Sequence, residues 1–182
     1  MRRTIVHLIR GEAKEAHEAL TRDLVDTLDA FPLHDRIPPH FTFKRWFDLD
    51  EKDVDSIRKI LDEFADSHYT SDYSLKGFGH FGTDVIYVDV IPSQQMSSDV
   101  LELMSMLKEA PRLEFDEFDN GKDFHATVAM GSLKPFDFEK TWEYLQEKKG
   151  LDFRMRFDNI AILKKSDDRW GVEQVWELRP RT

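Results

Sequence analysis

The chain contains no cysteine. Disulfides, thiol nucleophiles and cysteine-held zinc are therefore excluded, and any nucleophile must be oxygen, nitrogen or water. No run of about 18 apolar residues occurs, and the short start Met1-Arg2-Arg3-Thr4-Ile5 soon meets Arg10 and Glu12. Neither a membrane span nor a signal peptide is expected, and a cytoplasmic location is the default. Basic charge is also short, with 26 Lys and Arg against 36 Asp and Glu, a net charge of -10. That balance argues against a protein that coats long nucleic acid by releasing counterions, so long DNA is not an expected partner. The absence of Gly-x-Ser-x-Gly disfavours a serine hydrolase, and neither His-x-x-x-His nor Glu-x-x-His occurs to suggest a metal site.

What is present is enough for a folded core. With 182 residues and 40% hydrophobic content, the chain suits one domain spanning 1–182, or two small lobes that depend on each other. Residues 4–9 read as a buried strand ended by Gly11. Residues 12–31 carry Ala16, Leu20, Leu24 and Leu28 as one helical stripe. Pro32, Pro38 and Pro39 mark a rigid loop leading into His40. Asp50 suits the N-cap of a second helix, with Val54, Ile57, Leu61 and Phe64 on its apolar face. Strands at 73–78 and 85–91 flank the turn Gly79-His80-Phe81-Gly82-Thr83. Ser97 or Ser98 is a candidate cap for a third helix bearing Val100, Leu103, Met104 and Leu107. An acidic, aromatic stretch at 113–121 precedes a strand at 123–130, and Pro135 opens a fourth helical stretch that Gly150 ends. Two last strands, 159–165 and 171–178, form a hairpin. Helices interleave with antiparallel strand pairs, which makes the fold class α+β.

Three His-x-Thr strings occur where chance predicts fewer than one. His68-Tyr69-Thr70 follows a helical pattern and reads as surface loop. In His40-Phe41-Thr42-Phe43 and His125-Ala126-Thr127-Val128 the polar and apolar residues alternate, placing each His and Thr on one strand face. Any one such string is most simply a strand histidine satisfied by a nearby hydroxyl. Two of them half a chain apart, each on a strand followed by a helix and then a strand pair, are the footprint of an internal duplication. Two near-neutral imidazoles supply a general base and a general acid, and two threonine hydroxyls can hold phosphate oxygens as charge develops in the transition state. For a 2′,3′-cyclic phosphate the base would activate water and the acid would protonate the departing ribose oxygen. No metal or cofactor is required.

The residues that carry this chemistry also carry a resemblance. The Pro38-Pro39-His40-Phe41-Thr42-Phe43 entry, Leu75-Lys76-Gly77-Phe78 ahead of the 85–91 strand, the string Phe124-His125-Ala126-Thr127-Val128-Ala129 and the closing hairpin together resemble the 2H phosphoesterase superfamily. That superfamily includes the proteins called 2′-5′ RNA ligases or RNA 2′,3′-cyclic phosphodiesterases. The resemblance implies a bilobal fold, two antiparallel sheets with outer helices around a central groove, in pseudo-two-fold relation. It implies His40 and His125 as catalytic residues and Thr42 and Thr127 as phosphate-binding residues. It also implies hydrolysis of cyclic phosphate ends, with 2′-5′ ligation as the reverse reaction, by a monomer that takes a small nucleotide or an RNA end. The acidic stretch 114–123 differs from what a binder of long RNA needs. Lys44, Arg45, Lys164, Lys165 and Arg169 are the candidate local cations, with ordinary solvated charge as the alternative for each. His7 reads as structural and His80 as a turn residue, although its glycine flanks would let it reach a ligand. Two rival readings are a hydrolytic metal site built from His40, His125 and Asp123 or Asp84, and a nucleotide or RNA-end binding module without turnover.

Overall fold

The β-branched run near the N-terminus forms β1 (Arg2–Leu8), buried from Arg3 onward. It is buried because it lies inside a sheet, antiparallel to β2 (His40–Asp48) on one side and to β7 (Asn159–Ser166) on the other. The structure is a computed structural model describing residues 1–148 and 150–181. Between β1 and β2 run α1 (Gly11–Leu28) and one further turn, α2 (Leu33–Arg36). The sequence suggests only a rigid loop there. Pro32 sits immediately before the turn, where a missing N–H costs nothing, so the prolines bound α2 without preventing it.

The buried line of α1 is Ala13, His17, Thr21 and Leu24, whereas Ala16, Leu20 and Leu28 are only half-buried. The apolar stripe expected from the sequence is thus rotated. His17 and Thr21 face inward because each polar side chain reaches a backbone carbonyl, Thr127 O for His17 Nε2 and Glu18 O for Thr21 Oγ1, both at 3.0 Å.

After β2 come α3 (Glu51–Ser67), β3 (Ser71–Phe81) and β4 (Val85–Pro92). Asp50 caps α3 as expected, accepting from the Asp53 N–H at 3.0 Å, and Val54, Ile57, Leu61 and Phe64 are fully buried. β3 continues through Gly79 and His80, so the turn is tighter than expected. The next helix, α4 (Gln94–Leu107), begins earlier than expected: Ser93, not Ser97 or Ser98, accepts from the Met96 N–H. The chain then passes through β5 (His125–Met130), α5 (Phe138–Glu147), β6 (Asp152–Phe157), β7 and β8 (Arg169–Glu177). Strand β6 is an addition to the elements read from the sequence. Its pattern Asp-Phe-Arg-Met-Arg-Phe alternates charge with apolar residues, the signature of a half-exposed edge strand.

Two four-stranded antiparallel sheets result, in the orders β2-β1-β7-β8 and β5-β4-β3-β6. The α+β architecture is the expected one, and the repeated unit is strand, helix, motif strand: β1-α1-β2 in one sheet and β4-α4-β5 in the other. Each places its His-x-Thr strand at a sheet edge. The pair following the first motif, β3 and β4, belongs to the second sheet, and the pair β7 and β8 following the second motif returns to the first. Neither sheet is a separate piece of chain. Their faces meet in a cluster of aromatic side chains, with Phe41 5.3 Å from Tyr73 and Phe43 5.6 Å from Phe157. Burying each such ring contributes about 1.5–3 kcal/mol.

Candidate active site

In both motif strands the alternation operates as the sequence implies. Phe41 and Phe43, like Ala126 and Val128, are buried, while His40, Thr42, His125 and Thr127 are half-buried on the opposite faces. Each histidine is also tethered in the same way. His40 Nδ1 lies 2.8 Å from the Pro38 carbonyl and His125 Nδ1 lies 3.1 Å from the Asp123 carbonyl, two residues back in each case. A carbonyl only accepts, so Nδ1 carries the proton and donates it. Nε2 of the neutral ring is then left as the basic nitrogen, with no protein partner among the described residues.

The two edges are joined behind the site. Phe124, immediately before His125, packs 5.5 Å from Phe41 and 5.9 Å from Phe43. A buried ion pair adds a second link: Lys44 Nζ donates to Asp119 Oδ2 at 2.8 Å, and Asp119 also accepts from the backbone N–H of Arg45 and of Asp116. The acidic stretch before the second motif is therefore bolted to the strand of the first. With the strands so held, the charge of His125 reaches His40. Burial pushes His40 down to about 4, against its hydrogen bond to Pro38, and repulsion from His125 adds to the fall. Burial also lowers His125, but the Asp123 carbonyl and the charges of Asp123 and Asp89 oppose it.

Three neighbours go beyond the residues expected from the sequence. His17 brings a third imidazole between the motif strands. It is 5% exposed, and because Thr127 O accepts from Nε2, its Nδ1 is a bare acceptor, buried and without a partner among the described residues. Burial, and then the charge of His40, lowers it to about 4. Phe81 meets the His125 ring edge-on at 4.9 Å, and Tyr87 lies 5.2 Å from it. Gly79 makes room for Tyr87, since a Cβ there would come within 2.5 Å of that ring. The signal for Tyr87 is present in Val-Ile-Tyr-Val-Asp-Val-Ile, where Tyr87 and Asp89 share the face opposite Ile86 and Val88. His17 is hidden from a search for helical stripes among apolar residues alone.

The remaining predicted residues are distributed as follows. Lys44 is neither solvated nor open to a ligand, because its charge is used by Asp119. Arg45 lies 4.7 Å over the Phe118 ring and 3.6 Å from Asp116, and Lys164 pairs with Glu173 at 3.3 Å. Lys165 stands opposite Trp170 in the β7–β8 hairpin. Arg169 makes no ion pair among the described residues. His7 is structural: its Nδ1 donates to Asn159 O at 2.9 Å and its Nε2 accepts from Tyr73 OH at 3.0 Å, linking the sheets. Its burial lowers it to about 3. His68 is not a free loop residue; it ends α3, stacks on Phe64 at 3.8 Å and faces Glu102 at 3.4 Å. His80 lies on β3 with Nδ1 2.9 Å from Gly82 O and its ring against Phe138 and Trp142. Among the described residues no three His, Asp or Glu side chains converge as a metal site, and no helix is long and apolar enough to cross a membrane.

The family model described as the 2′-5′ RNA ligase superfamily matches residues 10–169, a span that includes both motif strands. The chain belongs to that superfamily. No curated protein matches it in sequence. In fold, the superfamily member resembles E. coli LigT in its apo form, with a TM-score of 0.65 at 10% identity, over 98% of this chain and 97% of that one. It also resembles TT0787 of Thermus thermophilus, with a TM-score of 0.59 at 14% identity over the whole of both chains. Kluyveromyces marxianus Usb1 matches with a TM-score of 0.55 at 12% identity, over 97% of this chain and 98% of that one.

Proposed function

We propose that the chain is a metal-independent phosphodiesterase that opens 2′,3′-cyclic phosphates at RNA ends or on nucleotides, with His40 as general base and His125 as general acid. The observation that carries this reading is the doubled tether: two imidazoles, each with Nδ1 committed to a backbone carbonyl and Nε2 uncommitted among the described residues, with the charge of His125 reaching His40. His40, well below the ordinary imidazole range, is neutral at neutrality and accepts a proton. His125, supported by Asp89 and Asp123, is the better proton carrier. E. coli LigT, similar in fold, has been crystallised with 3′-AMP and with phosphate, which supports a phosphate-bearing ligand for the histidine pair.

In the forward step His40 Nε2 takes a proton from water, whose oxygen bonds to phosphorus. The bond from phosphorus to the ribose O3′ breaks, and that oxygen takes the proton held on His125 Nε2, leaving a 2′-phosphate. Thr42 and Thr127 hydroxyls donate to the non-bridging oxygens as their charge grows. Ligation follows the same path with a ribose 5′-hydroxyl in place of water: His40 Nε2 takes its proton, its oxygen bonds to phosphorus, the bond to O3′ breaks with the proton from His125, and a 2′-5′ phosphodiester is left. The test is hydrolysis of 2′,3′-cyclic nucleotides and short cyclic-phosphate RNAs after EDTA treatment. Turnover insensitive to the chelator is expected. Binding of these ligands with no product formed, unchanged by His125→Gln, would instead identify a binding module.

A further inference from the structure

Gly79 lies inside β3, where glycine weakens a strand and marks the close approach of another group. Its backbone does not ask for glycine, since φ is positive at Gly77 and Gly82, 73° and 52°, but not at Gly79. The demand comes from a side chain. Tyr87, the direct partner of Gly79 on β4, lays the far edge of its ring over that glycine, and a Cβ at residue 79 would meet its Cε2, Cζ and Oη at 2.5, 2.6 and 2.7 Å. On its other side Tyr87 is paired with Thr127 of β5, and directly paired residues point to one face of a sheet. Seated on Gly79, the Tyr87 ring therefore leans away from Thr127.

The seated ring belongs to a cluster of three that includes His125. Phe81, two residues beyond Gly79 on the same strand face, lies 4.6 Å from the Tyr87 ring and 4.9 Å from the His125 ring, and Tyr87 lies 5.2 Å from His125. The imidazole has need of such neighbours. It stands on an edge strand, and the exposed 3.1 Å hydrogen bond to the Asp123 carbonyl is its one polar tie among the described residues. Phe81 at 86° and Tyr87 at 51° to its plane wall it in by edge-on and tilted contacts, the arrangements that aromatic rings favour. A tyrosine ring kept off Gly79 can turn toward Thr127 or out to solvent, and either move takes the wall away from His125.

We infer that Gly79, Tyr87 and Phe81 are positioning residues for His125: the Tyr87 ring, seated on Gly79, and the Phe81 ring hold the imidazole in the orientation in which it delivers its proton. The inference rests on the proposed function for the reaction that His125 serves. The experiment measures kcat and KM on a mononucleoside 2′,3′-cyclic phosphate and, independently of turnover, the imidazole C–H proton resonances of His125, assigned against the His125→Ala protein. Four variants are compared with the wild type: Gly79→Ala, Tyr87→Leu, Tyr87→Phe, and Gly79→Ala combined with Tyr87→Leu. Gly79→Ala and Tyr87→Leu should each lower kcat by about 10- to 100-fold, the scale for a reacting group misplaced by about 1 Å. KM should change by less than about threefold, because what is lost acts in the transition state. Tyr87→Phe keeps the ring and should restore most of the rate lost in Tyr87→Leu. The double variant has no clash, so it stays readable if Gly79→Ala alone folds poorly, and it should match Tyr87→Leu, a saturation that two independent losses do not show. The His125 resonances should move in Gly79→Ala and in Tyr87→Leu, as the ring currents beside them change, and stay near their wild-type positions in Tyr87→Phe. His125 resonances that do not move in Gly79→Ala, or a double variant about tenfold or more below Tyr87→Leu in kcat, overturn the inference. If the wild-type protein turns over no cyclic phosphate yet the resonances respond as expected, the seating of His125 on these rings stands and the hydrolytic reading falls. If cyclic phosphate is hydrolysed and Gly79→Ala leaves both rate and resonances unchanged, the reverse holds.

Discussion

His40 and His125 share a tether, a strand position and a neighbouring threonine, yet their surroundings differ. His40 sits deeper, without a carboxylate to support its charge. His125 lies at the more open edge, framed by Phe81 and Tyr87 and held up by Asp89 and Asp123. The surroundings differ in what they favour: His40, buried without a carboxylate, is held neutral, whereas the charges of Asp123 and Asp89 partly support the protonated form of His125.

The comparison breaks most completely when either imidazole is removed. His40→Ala and His125→Ala are each expected to lower turnover of a cyclic nucleotide by about 10²- to 10⁴-fold, measured as kcat in EDTA-treated assays. If each variant keeps near wild-type rates, the acid-base pairing is wrong. Next in size is the bolt between the two edges. Asp119→Ala leaves Lys44 buried and unpaired, and about 3–5 kcal/mol of unfolding free energy should be lost in urea titration. Replacing the pair together, Lys44→Met with Asp119→Leu, should recover the part due to the stranded charge but not the cost of leaving the Arg45 and Asp116 N–H groups without their acceptor. A loss under about 1 kcal/mol for the single substitution, the level of an exposed ion pair, would mean the acidic stretch is not anchored as described.

A smaller effect tests the third imidazole. His17→Leu leaves the Thr127 carbonyl without its donor, at a cost of about 1–3 kcal/mol, whereas His17→Gln can still reach it through an amide N–H. The leucine variant should lower kcat more than it raises KM, with glutamine restoring most of the loss. Equal kinetics for the two would make His17 a packing residue only. His7, His17 and His40 share a further consequence. All are lowered by burial in the fold, so the unfolded chain binds protons first. Stability is therefore full above about 6.5 and falls as pH drops toward the folded values of about 3 for His7 and about 4 for His17 and His40. Thermal melts taken from neutrality down into that range should show a steady fall in Tm, and a flat profile would contradict it.

Much of this is readable from the sequence because strand alternation is a local property. Phe41 against His40 and Val128 against Thr127 need only a period of two, and the half-chain separation of His40 and His125 carries the pairing. The capping of α3 by Asp50 is equally local. What escapes depends on partners distant in sequence. His17 faces inward only because Thr127, 110 residues later, presents a carbonyl. Lys44 looks like a phosphate ligand because nothing nearby in sequence announces Asp119. Strand β6 lacks the β-branched run that marks β4, and the exchange of strand pairs between sheets is a matter of topology that no local pattern encodes.

The least effect expected is also the most specific to the difference between the two histidines. Asp89 is the cross-strand partner of His125 and exposed, so its charge supports the imidazolium through solvent-screened distance. With His40 near 4 and His125 lowered from its ordinary value of 6.5, kcat/KM should follow a bell: an acid limb near 4 as His40 gains its proton, and an alkaline limb below about 6.5 as His125 loses its own. Asp89→Asn removes a charge that favours protonated His125, so the alkaline limb should move to lower pH, by less than about one unit given the exposure of the carboxylate. The acid limb, set by His40, should stay in place. If the acid limb moves instead, the roles are reversed and His125 is the base; if both move together, the two imidazoles titrate as one coupled pair and neither limb belongs to a single residue.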